Sequence, residues 1–245
     1  MKVIILNNDQ QIANKASEII ANQIKQKPNS ILGLATGSSP VKTYQKLIDM
    51  YKNKEISFKD ITVFNLDEYK NIDPNNDQSY SYFMKQQLFN HIDINLDNCF
   101  IPNIEFNNDP KKYDELIKSK GQIDLQLLGL GVNGHIGFNE PYTSFDSLTH
   151  IVDLTQSTIQ ANSRFFDDIN LVPKQAITMG LESIMNAKKI VLIATGVNKA
   201  EAIKNLIEGN ISEKWPCSIL QNHKDVTIII DKDASIKLER FYELI

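Results

Sequence analysis

Two hydrophobic periods take turns along this chain. Short apolar runs recur at 3–6, 30–34, 61–64, 123–128, 190–194 and 226–230, each of strand length and apolar enough to be buried on both faces. Between them the spacing widens to three and four residues. Ile12, Ala16, Ile19, Ile20 and Ile24 fall at i, i+4, i+7, i+8 and i+12, one face of a helix reaching Lys27, with Asp9 as its N-cap. Further helices are predicted over 41–54, with Ser39 as cap and Pro40 in the first turn, over 79–89, and over 110–120, ended by Gly121. Weaker patterns predict strands at 99–102, 148–154 and 176–179, and helices at 155–166, 180–185 and 215–220. Ala234, Leu238, Phe241 and Ile245 mark the inner face of a last helix. Strands alternating with helices predict a three-layer, Rossmann-like α/β domain with a largely parallel sheet. With no repeat and no linker, 1–245 reads as a single domain.

The polar residues gather where strands end, which is where open α/β sheets place their ligands. After the run 123–128 comes Gly129-Leu130-Gly131-Val132-Asn133-Gly134-His135-Ile136-Gly137-Phe138-Asn139-Glu140-Pro141. Its glycines and proline make a shaped loop, which carries His135, Glu140 five residues on, and Asn133 two residues before the imidazole. An imidazole held by polar neighbours is a common general acid/base arrangement. A histidine satisfied by backbone carbonyls is the plain alternative. Gly129, Gly131 and Gly134 also spell the dinucleotide fingerprint, with Asp153 downstream, but that motif must open a helix, and Gly137 and Pro141 oppose one.

Ala35-Thr36-Gly37-Ser38-Ser39-Pro40 joins a strand to a helix. Free backbone N–H groups, hydroxyls and the positive helix end suit one anion there, although the Gly-Lys-Ser/Thr ending of a nucleotide loop is missing. Thr195-Gly196 begins a second such junction, with Lys199 in the first turn, where a cation opposes the helix dipole and calls for an anionic ligand. Asp67 and Glu68 open the loop after 61–64, and Arg164 reads as a surface charge or a bidentate phosphate ligand. The aromatics Tyr80, Tyr82 and Phe83 read as packing. Together these loops predict an enzyme that grips a phosphorylated small molecule and moves protons on it.

Bulk properties narrow this reading without changing it. The net charge of −4 leaves no footprint for nucleic acid or for an anionic membrane. No apolar run approaches membrane-spanning length, and Met1–Leu6 is too short for a signal peptide. Cys99 and Cys217, the only two cysteines, suit a reducing cytosol and no structural zinc. A cytoplasmic location is expected.

Residues 131–141 closely resemble the signature of the glucosamine-6-phosphate deaminase family. Phe64-Asn65-Leu66-Asp67-Glu68-Tyr69, Asn162-Ser163-Arg164-Phe165-Phe166 and Lys199-Ala200 match the same family in the same order, so the likeness spans essentially the whole chain. The related 6-phosphogluconolactonases share the fold and a Gly-His loop but, as a rule, lack the Asp-Glu-Tyr and Asn-Glu-Pro elements. The resemblance implies a reversible, metal-free and cofactor-free conversion of glucosamine 6-phosphate to fructose 6-phosphate and ammonia. In it, His135 opens the pyranose ring, Asn133 and Glu140 orient the imidazole, and Asp67 carries a proton from C2 to C1. Thr36, Gly37, Ser38, Ser39, Arg164 and Lys199 hold the 6-phosphate. A lactonase-like hydrolase and a non-catalytic sugar-phosphate sensor are the alternatives.

The chain departs from the family pattern twice. Many members have Asp at the place of Asn133. Allosterically activated hexameric members carry Arg-x-Lys where this chain has His150-Ile151-Val152. The expectation is therefore a monomer or small homo-oligomer that N-acetylglucosamine 6-phosphate does not activate.

Overall fold

The computed structural model describes residues 1–154, 173–240 and 242. The expected helix at 155–166, with Arg164, lies outside them. Seven strands form one parallel sheet, in the order β1 (Lys2–Leu6), β10 (Val226–Asp231), β9 (Ile190–Ala194), β6 (Leu125–Leu128), β2 (Ile31–Leu34), β3 (Thr62–Asn65) and β5 (Cys99–Phe100). The helices are α1 (Asp9–Gln26), α2 (Val41–Lys52), α3 (Tyr80–Gln87), α4 (Lys111–Lys120), α5 (Leu181–Met185), α6 (Ala200–Ile207) and α7 (Lys232–Ser235).

Both faces of the sheet are covered. Ile4, Leu32, Leu34 and Ile229 point into one core cluster with α1 and α2, while Ile5, Ile31, Ile228 and Ile230 point into another with α4 and α6. This is the period-2 alternation of a strand buried on two sides, which explains why the runs carry no polar face. Ile228, Ile229 and Ile230 are all 0% exposed, and each buried side chain contributes roughly 1.5–3 kcal/mol against exposure.

From β2 the chain steps outward to β3 and β5, then returns to the other side of β2 with β6 and continues to β9 and β10. The crevice at the ends of β2 and β6 is the topological switch point, the place where this architecture binds ligands.

Several local expectations are corrected. Asn8, not Asp9, caps α1, its side chain accepting the Gln11 N–H at 3.0 Å; Asp9 instead takes Lys42 at 2.6 Å. Pro40 occupies the N-cap position of α2, so Ser39 makes no capping bond there. Asp67 is not in a loop. It begins β4 (Asp67–Tyr69), which pairs antiparallel with β8 (Gln175–Thr178), itself paired to β7 (His150–Asp153) in a separate three-stranded sheet. The last helix is a single turn, capped at its start by Asp231 through the Ala234 N–H; 236–240 do not continue it, and Phe241 and Ile245 lie outside the described residues.

Candidate active site

Loops 35–40 and 129–138 and strand β4 enclose a cavity of about 190 Å³ over the switch point. Thr36, Gly37, Ser38 and Ser39 form one wall, His135 and Gly137 another, and Asp67 with Tyr80 a third. Gly37, at φ 89°, bends the chain from β2 towards α2, a backbone state that side chains with a Cβ rarely adopt. Ala35, just before it, is pinned by the Tyr44 hydroxyl, which donates to its carbonyl at 2.5 Å. No protein acceptor among the described residues takes the N–H groups of Gly37, Ser38 and Ser39.

The loop after β6 is held by its own turns. Gly131 N–H donates to the His135 carbonyl at 2.9 Å, and Gly134 N–H to the Gly131 carbonyl at 3.1 Å. The His135 ring lies directly on Gly131, where a Cβ would stand 2.3 Å from Cε1; any larger residue there would expel the ring. His135 Nδ1 sits 2.8 Å from Asn133 Oδ1 and 3.6 Å from Glu140 Oε1, while Asn133 Nδ2 donates to Glu140 Oε2 at 2.6 Å. The Asn133 amide has one donor end and one acceptor end. Glu140 takes the donor end, so Oδ1 is left for an Nδ1–H and Nε2 faces away from the pair. Burial lowers the His135 pKa; the Glu140 charge opposes this and the Lys199 charge adds to it.

Asp67 is 7% exposed. Its pKa is raised to about 7, chiefly by burial and then by the neighbouring Glu68 charge, against a hydrogen bond from the Thr36 side chain. The carboxylate lies beneath Gly137, its Oδ2 being 3.6 Å from where a Cβ would stand. Opposite it in register on β8, Thr178 accepts the Phe138 N–H at 3.1 Å. Asn139, 0% exposed, donates to the carbonyls of Ile136 and Met179 at 2.9 and 2.8 Å. These two side chains tie the histidine loop to the strand pair carrying Asp67.

The structure thus brings Thr36, Gly37, Ser38, Ser39, Asp67 and His135 onto one cavity, with Asn133 and Glu140 behind the imidazole. Lys199 ends a 3-10 turn over Val197–Lys199, close enough for its charge to act on His135. It is half-buried, which lowers its pKa, and it has no ion pair among the described residues. Arg164 lies outside the described residues. Tyr80, expected only to pack, lines the cavity and stacks on Phe138 with ring centroids 6.2 Å apart. Its place at the start of a helix just after Asp67-Glu68-Tyr69 was the available signal. Thr178 carried no sequence signal at all. Among the described residues no group of three or more His, Cys, Asp or Glu is arranged to hold a metal ion, and no helix is long and apolar enough to cross a membrane.

The model of the Glucosamine-6-phosphate isomerases/6-phosphogluconolactonase family matches residues 8–229. Glucosamine-6-phosphate deaminase of Mycoplasma mycoides subsp. mycoides SC is 70% identical over 238 residues, covering 97% of this chain and 98% of that protein. That of Thermoanaerobacter sp. is 55% identical, covering 96% and 94%. Among solved structures, a monomeric glucosamine-6-phosphate deaminase superposes with TM-score 0.92 at 45% identity, over 96% of this chain and 99% of that one. A 6-phosphogluconolactonase from Leishmania guyanensis, at 17% identity and TM-score 0.74 over 98% and 99%, shares the fold. With these matches over nearly its full length, the chain belongs to the glucosamine-6-phosphate deaminase family.

Proposed function

We propose that this protein converts glucosamine 6-phosphate and water to fructose 6-phosphate and ammonia, reversibly. The observation that carries the reading is a buried carboxylate and a tethered imidazole lining one cavity whose third wall is a row of hydroxyls and of N–H groups without a protein acceptor among the described residues. Recognition starts at the phosphate. The Thr36–Ser39 loop offers N–H groups and hydroxyls at the start of α2, and Lys199 and Arg164 supply positive charge.

Ring opening needs an acid at the ring oxygen. His135 serves through Nε2, taking the proton of the anomeric hydroxyl O1 and giving one to the ring oxygen as the C1–O5 bond breaks; its Nδ1–H is engaged by Asn133, and the Glu140 charge favours the imidazolium that forms in between. Asp67 then takes the proton from C2 of the open-chain aldehyde; the C2–H electron pair becomes the C1–C2 double bond of an enolamine as the carbonyl π pair moves onto O1, which takes up a proton. Returning that proton to C1 gives a ketimine at C2. Water adds to this carbon, ammonia leaves, and the ketose phosphate remains. A base that must both take and return a proton near neutrality works best with a pKa near 7, the value towards which burial pushes Asp67. These steps are proton transfers and a hydration, for which neither metal nor organic cofactor is invoked.

The active unit is a monomer or small homo-oligomer of the single domain 1–245, working in the cytoplasm on a small sugar phosphate, with no nucleic-acid or membrane partner. A monomeric relative at 45% identity supports the quaternary part. His150-Ile151-Val152, in place of Arg-x-Lys, supports a lack of activation by N-acetylglucosamine 6-phosphate.

The test is the appearance of ammonia and fructose 6-phosphate from glucosamine 6-phosphate without added metal or nucleotide. Equal amounts of both establish the reaction. Binding without either product would favour a lactone substrate or a sensing role. Light scattering reads the assembly directly, and sigmoidal kinetics abolished by N-acetylglucosamine 6-phosphate would overturn the regulatory part.

A further inference from the structure

Glu68 is a buried carboxylate, 1% exposed, with no Lys, Arg or His within ion-pair distance among the described residues. One oxygen accepts the N–H groups of Tyr69 at 2.8 Å and Tyr80 at 3.0 Å, and the other accepts that of Ser81 at 2.9 Å. In the first turn of α3, Ser79 accepts the Tyr82 N–H at 2.9 Å, while Glu68 takes those of Tyr80 and Ser81 from β4. A carboxylate is favoured at a helix N-terminus; burial raises the Glu68 pKa and these N–H groups oppose the rise. The group that closes α3 onto β4 therefore stands one residue from Asp67.

Resting on the reading of Asp67 as the proton carrier, we propose that Glu68 is a positioning residue with two effects. Its carboxylate locks the start of α3, and with it Tyr80, to the strand carrying Asp67, and its negative charge sets how readily Asp67 gives up the proton it collects.

The surroundings of Asp67 single Glu68 out. Glu68 on β4, Tyr80 on α3 and Tyr113 on α4 act on it electrostatically, the Thr36 side chain hydrogen-bonds to it, and His135 shares its cavity. The Tyr80 and Tyr113 phenols are held neutral by burial, and Thr36 and Thr178 carry no charge. Among these neighbours Glu68 is the one whose charge raises the Asp67 pKa, so removing it makes Asp67 a stronger acid.

The experiment is the pH profile of kcat/KM for the full-length chain carrying Glu68→Gln, which keeps an oxygen for Tyr69 and Tyr80 and removes the charge. The acid limb is expected to move to lower pH by about half a unit or more. In Glu68→Asp, which keeps the charge and shortens the reach, the limb stays in place while kcat and Tm fall. An unmoved limb in Glu68→Gln, with only Tm or kcat reduced, would leave a structural cap and overturn the proposal.

Carboxyl carbon-13 NMR titration of the wild-type protein needs neither variant to fold. Glu68 ionising below Asp67 is the expected order, and Glu68 still protonated when Asp67 ionises overturns the proposal. Absence of ammonia release by the wild type would remove the deaminase reading, while the titration still decides whether the two carboxylates are coupled.

Discussion

Thr36-Gly37 after β2 and Thr195-Gly196 after β9 share a local sequence, and both glycines adopt φ 89°. Their surroundings differ. Beside the first junction, the N–H groups of 37–39 meet no protein acceptor among the described residues, and these residues line the cavity. At the second, the Gly196 N–H is taken by both carboxylate oxygens of Asp231 at 3.0 Å. Asp231 ends β10, the strand paired to β9, and it also caps α7 through Ala234 at 2.8 Å. A junction that reads as an anion site can thus be filled from within by the neighbouring strand. Among the described residues the N–H groups of Val197 and Asn198 also meet no protein acceptor, so what remains at the second junction is part of a cradle beside the Lys199 ammonium. The first place keeps its glycine N–H open, and the second has it filled.

The largest expected effect removes the chemistry served by the open junction. Asp67→Asn should lower kcat by about 10²–10⁴-fold while leaving sugar-phosphate affinity nearly unchanged, as calorimetric binding would report. Retained turnover would refute the proton-transfer role. The same variant should be stabilised, with a defined sign. The folded pKa of about 7 lies above the ordinary carboxylate value, so the folded state binds more protons between roughly pH 4 and pH 7. Wild-type stability is therefore lost as pH rises through that window. The Tm advantage of Asn should be full at pH 8 and vanish near pH 4, and catalysis should weaken as Asp67 is protonated below about pH 7.

Asp231→Ala tests the filled junction. Losing hydrogen bonds to a charged acceptor should destabilise the fold by about 2–3 kcal/mol, with little change in KM; a large rise in KM would make this junction a full backbone cradle after all. Smaller and more pointed is the pair Gly37→Ala and Gly196→Ala. Each forces a Cβ into a positive-φ backbone state at about 1–3 kcal/mol, but only Gly37→Ala should raise KM for the phosphorylated substrate. Equal rises would erase the distinction. The mildest effect is Asn133→Asp, which places a negative charge where Oδ1 now lies 2.8 Å from His135 Nδ1. It should move the basic limb of the pH profile upward by about one unit, and an unmoved limb would exclude His135 as the acid that limb reports.

Much of the candidate site was legible because its signals are local. Glycines and proline around His135 predict a loop, and a two-residue spacing lets Asn133 turn back onto the ring. The buried strands were readable from their lengths alone. Asp67 was misplaced, because a strand of three residues has too few positions to show a period, and its partner β8 lies more than a hundred residues away. Tyr80 was read as packing because stacked aromatics in a core and at a pocket wall look alike in sequence. The last helix was overextended from spacing alone.

The sequence by itself determined the alternation of strands and helices, the polar loops at the strand ends, and the trio Asn133, His135 and Glu140. Each of these depends on contacts within a few residues, and backbone sterics and side-chain reach decide such contacts before any packing. Only the tertiary structure decided that β2 and β6 stand side by side, that Asp67 is buried next to a Glu68 held by three backbone N–H groups, and that Asp231 fills one of two matching junctions. Those are consequences of strand order and burial, which depend on which distant segments exclude water from one another.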